Sequence, residues 1–300
     1  MTTDRLALYT TWYPGVEPYL PAWWSSVHAQ TDQDFDLWIG LDGIDPDELS
    51  ARVSLPLAAS WIIASPNATP SQIRQHAIAR LTDSYDALVF VDSDDWLLPD
   101  RVETARAALA SHDVSACALK IVDGAGRDLG LVFGPEGEVD WSEFLSRYNV
   151  FGLSNTAYRS EILRRLPKAP PDCVAFDWHL VTHALCGGAS LHFDETPRMA
   201  YRQSGHNLAR VVRPFAPADI EQATKIVLSH YRALTEPART SRELSLRLEP
   251  ARARVEQFFE RVIARPERLE AYVSALNELE PRYVWWWCVA HPQLERQWTN

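Results

Sequence analysis

The sequence predicts an α/β fold in which a mainly parallel β-sheet is covered by helices on both faces. Over the first hundred residues, short apolar segments alternate with segments that have helical spacing. The apolar segments are hydrophobic on both faces, which is typical of strands buried on both sides of a parallel sheet. Polar residues follow three of these strands, at the edge where such sheets bind ligands. These observations together favour a site at the carboxyl ends of the strands.

Each element of the first half follows from its local pattern. Apolar runs predict strands, and apolar residues spaced three or four apart predict helices. The predicted strands cover 6–13, 36–43, 60–65 and 87–95, and the predicted helices cover 18–30 and 71–81. From 101 to about 215 the chain mixes one helix, short strands and loops that contain Gly and Pro.

The last third of the chain has a different character. Three segments combine helical spacing with few Gly and many Glu and Arg residues, at 219–235, 241–263 and 266–279. We therefore predict two domains, an α/β domain over residues 1–215 and a helical C-terminal extension over residues 216–300.

The composition excludes several classes of protein. A net charge of −11 argues against a nucleic-acid partner, because phosphate binding needs a basic surface, and against broad docking on an anionic bilayer. The sequence contains no signal-peptide pattern and no run of about 18 apolar residues. The four cysteines include no C-x-x-C pair, which suits a reducing compartment. The sequence thus predicts a soluble, cytoplasmic protein without a transmembrane segment.

Residues 87–100, ALVFVDSDDWLLPD, place three carboxylates directly after a buried strand. Asp92 and Asp94 stand two residues apart where the chain leaves the sheet, so both can turn towards one point. Mg²⁺ and Mn²⁺ prefer oxygen ligands, usually one or two carboxylates completed by phosphate oxygens of a substrate. The pattern therefore predicts a divalent metal site. The alternative is a solvated acidic turn in which Asp94 or Asp95 caps the helix that starts near Pro99.

Arg74 is a candidate anion-binding residue. The segment from Thr69 to Gln72 predicts the start of a helix, with an N-cap, Pro at the first helical position and a capping box. On this helix Arg74 falls within the apolar face rather than on the solvent side. A cation in that position needs an anion or several polar partners. The two candidates are a bound anionic ligand and an ion pair with a nearby Asp.

The order of these motifs resembles that of the family 2 glycosyltransferases, which have the GT-A fold. The resemblance covers roughly residues 5–210 and rests on a second strand ending in Asp42, then IRQHAI, FVDSDDWLLP, SNTAYRSEIL, FDW and YRQSGHN. It implies a metal-assisted, inverting sugar transfer from a nucleotide sugar. The departures from the family pattern include Phe176, where a Glu usually precedes the catalytic Asp, and Ser204 and Gly205, which displace the final histidine.

The resemblance also implies roles for individual residues. Asp177 matches the acidic residue that takes the proton from the acceptor hydroxyl. Its alternative role is the N-cap of a helix that begins at Trp178. The residues implied for ligand binding are Thr10 and Asp42 at the nucleotide base, Arg74, Asp92 and Ser93 at the rest of the nucleotide, Arg202 at the diphosphate or metal, and Asp94 and His206 at the metal ion, which is Mn²⁺ or Mg²⁺.

The predicted function is transfer of a sugar from a nucleoside-diphosphate sugar, with UDP favoured, to a hydroxyl of a glycan, a lipid-linked molecule or a small molecule. Two alternatives stay open. A sugar-phosphate nucleotidyltransferase should have a Gly-rich, basic loop after the first strand, and TTWYPGVEP is neither. A catalytically silent GT-A module that binds a nucleotide sugar or glycan as an assembly partner is compatible with the departures in the motifs.

Four further features have ordinary structural explanations. His179 and His183 have the i, i+4 spacing of some zinc sites, but without an accompanying Glu we expect them to be structural. Trp178 either lines the acceptor site or belongs to the core. The run WWWC at 285–288 is expected in the core or in an oligomer contact, with an interfacial anchor for a lipid-linked acceptor as the alternative. Asp123 is expected in a turn.

Overall fold

The computed structural model describes residues 5–45, 59–135, 137–205, 207–235 and 241–299. Within these ranges the strands form one nine-stranded sheet with helices packed on both faces. The predicted α/β fold is confirmed.

The first half of the sheet is parallel. Its elements are β1 (Leu6–Trp12), α1 (Leu20–His28), β2 (Asp36–Leu41), β3 (Ser60–Ile63), α2 (Pro70–Thr82) and β4 (Ala87–Phe90). β1 lies between β2 and β4, and β3 pairs with the other side of β2. All four strands and both helices occur where the apolar patterns predict them.

The second half of the sheet is mixed. Its elements are β5 (Trp96–Leu97), α3 (Arg101–Leu109), β6 (Val114–Asp123), β7 (Asp128–Phe133), α4 (Trp141–Phe144), β8 (Thr156–Arg159), α5 (Ser160–Arg165), α6 (Phe176–Cys186) and β9 (Leu191–Gln203). β8 joins the two halves, because it runs antiparallel to both β4 and β6. β9 is parallel to β6 and antiparallel to β5. The strand order is β3-β2-β1-β4-β8-β6-β9-β5, with β7 beside β6.

Helices are present in the three C-terminal segments where the sequence predicts them. They are α7 (Pro217–Thr235), α8 (Arg242–Phe258) with a π-helical turn (Phe259–Ile263), and α9 (Pro266–Glu278), followed by a 3₁₀ turn (Pro292–Leu294) and α10 (Arg296–Thr299). One hydrophobic cluster extends from β1 to Trp298 and includes residues of α7, α8 and α9. The extension therefore shares a core with the sheet, and the predicted domain boundary at 215/216 stays a prediction. Among the described helices, none combines the length and apolar character needed to cross a bilayer.

The side chains of β1 alternate between two hydrophobic clusters, one on each face of the sheet. Leu8 and Trp12 belong to the larger cluster, and Ala7 and Tyr9 belong to the smaller one. This alternation is the two-residue period of a strand. Both faces of the parallel half are therefore buried, as the apolar pattern of its strands predicts.

A buried aromatic stack fixes α6 against the C-terminal extension. The Trp178 ring lies 3.7 Å from the His230 ring at an interplanar angle of 12°, and 6.0 Å from the Trp286 ring at 14°. Trp178 has no exposed surface, so it belongs to the core and does not line an acceptor site. The WWWC run at 285–288 is buried in the same cluster, which confirms the core interpretation.

His230 should make the stability of the protein fall in acid. Burial lowers the pKa of His230 well below its usual value and the pKa of His183 to about 4. The unfolded chain takes up these protons below a pH of about 6.5 while the folded protein does not, so both histidines destabilise the fold as the pH falls from 6.5 towards 4. Relative to the wild type, His230→Phe should gain roughly 1–2 kcal/mol more free energy of unfolding at pH 5 than at pH 7.5.

Urea unfolding at the two pH values measures this difference, and the comparison with wild type removes the pH dependence of the other groups. The control is His76→Phe, because His76 is exposed on α2 and should show no pH-dependent gain. An equal change in unfolding free energy at both pH values for His230→Phe would contradict the expectation.

Candidate active site

Hydrogen bonds hold the loop after β4 against β1 and the segment before β8. Ser93 is fully buried and donates through Oγ to the Thr11 carbonyl at 2.7 Å. The Asp92 N–H donates to Ser154 Oγ at 3.1 Å. These two bonds fix the backbone of the loop, and with it the directions of the three carboxylates that follow β4.

Asp95 is a structural carboxylate. Its side chain is almost fully buried, and it accepts hydrogen bonds from the Ser154 hydroxyl at 2.6 Å and from the Arg202 N–H at 2.9 Å. Burial raises the pKa of Asp95 well above its usual range, and the charges of Asp94 and Asp92 raise it further. Asp95 therefore ties the loop to β9 and does not face a ligand.

Asp92 and Asp94 are the two carboxylates of this loop that solvent reaches. Burial, and then the charge of Asp92, raises the pKa of Asp94 to about 6. A bound cation would stabilise two carboxylates that repel each other in this way. Neither Asp94 nor Asp95 caps a helix, because α3 begins at Arg101 and has no side-chain cap. The alternative interpretation as a helix-capping turn is wrong.

A metal ion at Asp92 and Asp94 would need further ligands from a substrate. Among the described residues, no group of three or more His, Cys, Asp or Glu side chains could hold a metal. Mg²⁺ and Mn²⁺ accept one or two protein carboxylates and complete their shell with phosphate oxygens and water. The partly exposed pair fits such an ion. His206 lies outside the described residues, so its predicted contact with the metal stays a prediction.

Arg74 brings a positive charge to these carboxylates. The capping box predicted at the start of α2 is present, and it places Arg74 in the first turns of that helix. Nη2 of Arg74 lies 3.7 Å from Oδ1 of Asp92, so the ion pair that stood as the alternative to a ligand contact is present. Both side chains are partly exposed, and such pairs contribute little to stability. Arg74 can therefore exchange Asp92 for the phosphate of a ligand.

Asp177 lies in the first turn of α6, with Ala175 at the N-cap position. The alternative role of Asp177 as the N-cap is therefore wrong. Asn149 Nδ2 donates to Asp177 Oδ2 at 3.3 Å. Burial raises the pKa of Asp177 to about 6, against the opposing effects of the Trp178 N–H and the Arg74 charge. A carboxylate with this pKa is mostly ionised at pH 7 and is well suited to accept a proton.

Asn149 links Asp177 to the C-terminal extension. Its side chain is buried; Nδ2 also donates to the Phe151 carbonyl at 3.0 Å, and Oδ1 accepts from the Phe151 N–H at 2.9 Å. Its backbone pairs with that of Trp285 through N–O distances of 3.3 and 2.9 Å. Trp285 Nε1 in turn donates to the Tyr201 hydroxyl at 3.2 Å. Residues 149 and 285 therefore form one wall beside Asp177.

Asn149→Ala should raise the pKa of Asp177. The amide of Asn149 donates to the ionised carboxylate, and losing one such bond costs about 0.5–1.5 kcal/mol, which corresponds to roughly 0.4–1 pKa unit. Carboxyl ¹³C NMR of selectively labelled protein measures the titration of Asp177.

The matched control for this substitution is Asn277→Ala. Asn277 makes the same two bonds to the backbone of one residue, Phe215, but does not contact Asp177. The control should leave the titration of Asp177 unchanged. A pKa of Asp177 that is equal or lower in Asn149→Ala would show that the 3.3 Å contact does not stabilise the carboxylate.

Thr10 and Asp42 occupy the ends of β1 and β2. Thr10 points towards the larger cluster and is 1% exposed, whereas the next residue, Thr11, is on the opposite face and is partly exposed. Thr11 Oγ1 also lies 3.1 Å from the Tyr9 hydroxyl. Asp42 is partly exposed, and its N–H donates to the Trp12 carbonyl at 2.9 Å. Thr11 and Asp42 are thus the side chains that the two strand ends present.

Arg202 supports the backbone of the loop that follows β4 and carries the three carboxylates. It is 6% exposed, and its guanidinium lies 4.7 Å from the Tyr19 ring and 5.0 Å from the Trp96 ring. Nε donates to the Asp94 carbonyl at 2.8 Å, and Nη1 donates to the Gly124 carbonyl at 2.9 Å. These contacts hold the backbone at Asp94. The predicted contact of Arg202 with a diphosphate is untested.

The other residues that the sequence singled out are structural. The His179 and His183 rings lie edge to face at 4.5 Å within α6. Asp123 Oδ1 accepts from the N–H groups of Ala125 and Arg127, as expected of a turn. The four cysteines at 117, 173, 186 and 288 are free thiols.

Sequence reasoning missed Ser154, Asn149, Tyr201 and Trp285 as members of the site. Ser154 and Tyr201 stand in two of the quoted motifs, SNTAYRSEIL and YRQSGHN, which were the available signals. Burial raises the pKa of Tyr201, and the charges of Asp95, Asp94 and Asp177 add to that rise. Tyr201 therefore lies close to both halves of the site.

The comparisons with known proteins concern the fold. No protein-family profile matches the chain, and no curated protein matches it. Solved structures do match. Those of S. aureus TarS with UDP and with UDP-GlcNAc give TM-scores of 0.54 and 0.56 at 13% and 15% identity, covering 99% and 98% of this chain and 78% of each TarS chain. The mannosyltransferase PcManGT from Pyrobaculum calidifontis, with GDP-Man and Mn²⁺, gives 0.54 at 15% identity, covering 91% of this chain and 74% of its own.

The chain has the GT-A fold. At 13–15% identity the likeness shows the fold alone. In an α/β sheet of this kind, ligands bind outside the carboxyl ends of the parallel strands. At that edge, Thr11 lies near the end of β1, and Asp92 and Asp94 follow β4. Arg74 on α2 and Asp177 on α6 lie close to these residues.

Proposed function

We propose that the protein is an inverting glycosyltransferase that transfers a sugar from a nucleoside-diphosphate sugar to an acceptor hydroxyl. The observation that carries the proposal is the pairing of two unlike acidic centres in one GT-A fold. Asp92 and Asp94 are a partly exposed pair beside Arg74, and Asp177 is a single carboxylate with a pKa raised to about 6. One centre suits a metal-bound diphosphate, and the other suits a general base.

The donor would be a nucleotide sugar, with UDP favoured. The structural neighbours with UDP, UDP-GlcNAc and GDP-Man support this class of donor. Arg74 would exchange its weak ion pair for a diphosphate oxygen, with Asp92 on the nucleotide side. At the base we propose Asp42 and Thr11, since the Thr10 side chain is buried.

Ser93 and Arg202 act in this proposal through the loop that they hold. Ser93 anchors the loop to β1, and Arg202 anchors the backbone of Asp94. Asp94 would hold Mn²⁺ or Mg²⁺, and the structural neighbour with GDP-Man and Mn²⁺ supports a divalent ion. When bound, the ion would supply Lewis-acid stabilisation of the charge that develops on the leaving diphosphate.

Asp177 would take the proton of the acceptor hydroxyl as that oxygen forms a bond to the anomeric carbon. The bond between this carbon and the diphosphate oxygen breaks in the same step, and its electron pair leaves with the nucleoside diphosphate. Attack from the side opposite the leaving group inverts the anomeric configuration. One protein carboxylate suffices for this chemistry, and Asn149 holds it in orientation.

Three finer assignments accompany this proposal. We propose that the chain belongs to family 2, that its catalytic domain ends near residue 215, and that it works in the cytoplasm. The order of its motifs supports the first, the start of α7 at Pro217 supports the second, and the free cysteines support the third.

Thermal unfolding with nucleotide sugars tests the proposed function. UDP-GlcNAc, another UDP-sugar or GDP-Man, with Mn²⁺, should raise the apparent unfolding free energy by about 2.7 kcal/mol at 100 times its Kd. EDTA should remove most of this effect, and ATP is the control nucleotide. No stabilisation by any diphosphate sugar would contradict the proposal. Stabilisation without release of free nucleoside diphosphate would indicate the silent binding module instead.

A further inference from the structure

A cavity lies beside the two segments that lead into residues 149 and 285. It has a volume of about 250 Å³ and opens between the region from β7 to α4 and the segment just before Trp285. Six residues supply most of its charged and aromatic side chains. These are Glu138, Glu143, Arg147, Tyr148, Arg282 and Tyr283.

The lining of this cavity carries both signs of charge without pairing them. Glu143, Arg147 and Arg282 are exposed, and within the part of the chain that the structure describes they have no ion pair or side-chain hydrogen bond. The Arg282 guanidinium lies 5.9 Å from the Tyr148 ring. Asp140, also in the lining, differs because it is used as the N-cap of α4. A cavity with two arginines and several carboxylates favours neither an anion nor a cation.

The ligand that matches this lining is a neutral molecule rich in hydroxyl groups. Carboxylate oxygens accept from hydroxyls, guanidinium groups donate to them, and the tyrosine rings offer apolar faces for the C–H side of a sugar ring. The volume is just below the roughly 300–1,000 Å³ of sites for drug-sized ligands, so it suits one or two sugar units.

The cavity is joined to Asp177 by adjacent residues. Tyr148 lines the cavity and directly precedes Asn149, which donates to Asp177. Val284 lines it as well and directly precedes Trp285, whose backbone pairs with that of Asn149. The cavity and the proposed general base are therefore both close to this one pair of residues.

We propose that this cavity binds a sugar unit of a glycan acceptor, away from the hydroxyl that reacts. The role of this sugar as part of the acceptor rests on the proposed glycosyltransferase function, whereas carbohydrate binding in the cavity does not depend on it. Of the three predicted classes of acceptor, which are a glycan, a lipid-linked molecule and a small molecule, the proposal selects a glycan longer than one sugar.

Saturation-transfer-difference NMR tests the proposal without donor or metal. The probes are cellotriose, maltotriose, mannotriose and chitotriose at millimolar concentration, with EDTA and no nucleotide. At least one trisaccharide should bind the wild-type protein, and Arg282→Ala and Glu143→Gln should each weaken that binding at least tenfold. Arg232→Ala is the control, because Arg232 is exposed on α7 outside the cavity and should change nothing.

Two results with the trisaccharides alone would overturn the proposal. One is the absence of binding by all four trisaccharides, and the other is equal binding by wild type and both cavity variants. Displacement of the sugar by inorganic phosphate would likewise overturn it in favour of an anion site. Nucleotide-sugar stabilisation should be unchanged in the cavity variants. If the trisaccharides bind through Arg282 while no nucleotide sugar binds, the proposed enzyme function fails and the carbohydrate site stands.

Discussion

Replacing Asp177 by Asn should lower the rate of sugar transfer by a factor of about 10²–10⁴, the usual contribution of a general base. The amide keeps the size of the side chain and its contact with Asn149, but it cannot take the acceptor proton. Donor binding should stay nearly unchanged, because Asp92, Asp94 and Arg74 are untouched. Steady-state release of nucleoside diphosphate, together with the Kd for the donor, measures the two effects separately.

The matched control is Asp172→Asn, an exposed carboxylate five residues before Asp177. It should transfer sugar at the wild-type rate. Activity within threefold of wild type in a folded Asp177→Asn variant would remove Asp177 from the mechanism. Loss of donor binding in that variant would instead point to a role in holding the nucleotide sugar.

The activity of the wild-type protein should depend on pH through the same residue. The pKa of Asp177 is raised to about 6 by burial, and only the ionised form can act as a base. With Mn²⁺ at a saturating concentration, which keeps Asp94 ionised, the logarithm of kcat/KM should therefore rise with unit slope below pH 6 and level off above it. A pH-independent rate between pH 5 and 7 would contradict the assignment. Asn149→Ala should move the midpoint upwards by the amount that NMR finds for Asp177.

Local patterns predicted most of the fold because they act within a few residues. The runs at 6–12 and 87–90 are apolar on both faces and pair as parallel neighbours. The capping box at Thr69 starts α2 as expected. The mixed half was less predictable, because the paired residues of β6 and β9 are about 80 positions apart, as in Asp123 and Gln203. Nothing in either segment alone specifies that partner.

The candidate site was predictable where its residues follow a strand directly. Asp92 and Asp94 come immediately after β4, so the sequence placed them at the ligand edge. The strand period could show that Thr10 and Thr11 face opposite sides, but not which side faces a ligand. Arg202 illustrates a second limit, since its enclosure by Tyr19 and Trp96 depends on residues far apart in the chain.

The contact between residues 149 and 285 beside Asp177 could not be predicted from the sequence, because it too joins residues that are far apart in the chain. Asn149 and Trp285 are 136 positions apart and meet only because the extension shares its core with the sheet. A run of tryptophans ordinarily belongs to the core. Residues 286–288 do so here, and none of their described ring contacts or hydrogen bonds reaches the candidate site. Trp285 alone extends to Tyr201.

Asp94→Asn should stabilise the protein without ligand and remove the effect of Mn²⁺ on donor binding. Burial and the charge of Asp92 raise the pKa of Asp94 from 3.8 to about 6. The folded protein therefore holds this proton more tightly than the unfolded chain, and ionisation above pH 6 destabilises it by up to about 3 kcal/mol. The Asn variant should gain part of that free energy at pH 7.5 and lose the advantage below pH 4. Urea unfolding at both pH values measures it.

The same substitution should lower Mn²⁺-dependent stabilisation by UDP-GlcNAc to the level seen in EDTA, because the ion loses its carboxylate ligand. Asp95→Asn is the matched control one residue away. Asp95 is almost fully buried and accepts from the Arg202 N–H at Oδ1 and from Ser154 at Oδ2. In the Asp95→Asn variant the amide oxygen can still accept from the Arg202 N–H, and the amide nitrogen can donate to Ser154 Oγ, whose hydroxyl can donate to Asp92 Oδ2, so this variant should keep the Mn²⁺ effect. Equal loss in both variants would mean that the loop, and not Asp94, governs metal binding. Retention in Asp94→Asn would place the ion elsewhere. A gain in stability together with loss of the metal effect would show that the ionised Asp94 carboxylate is unfavourable in the protein without ligand and is stabilised by the bound cation.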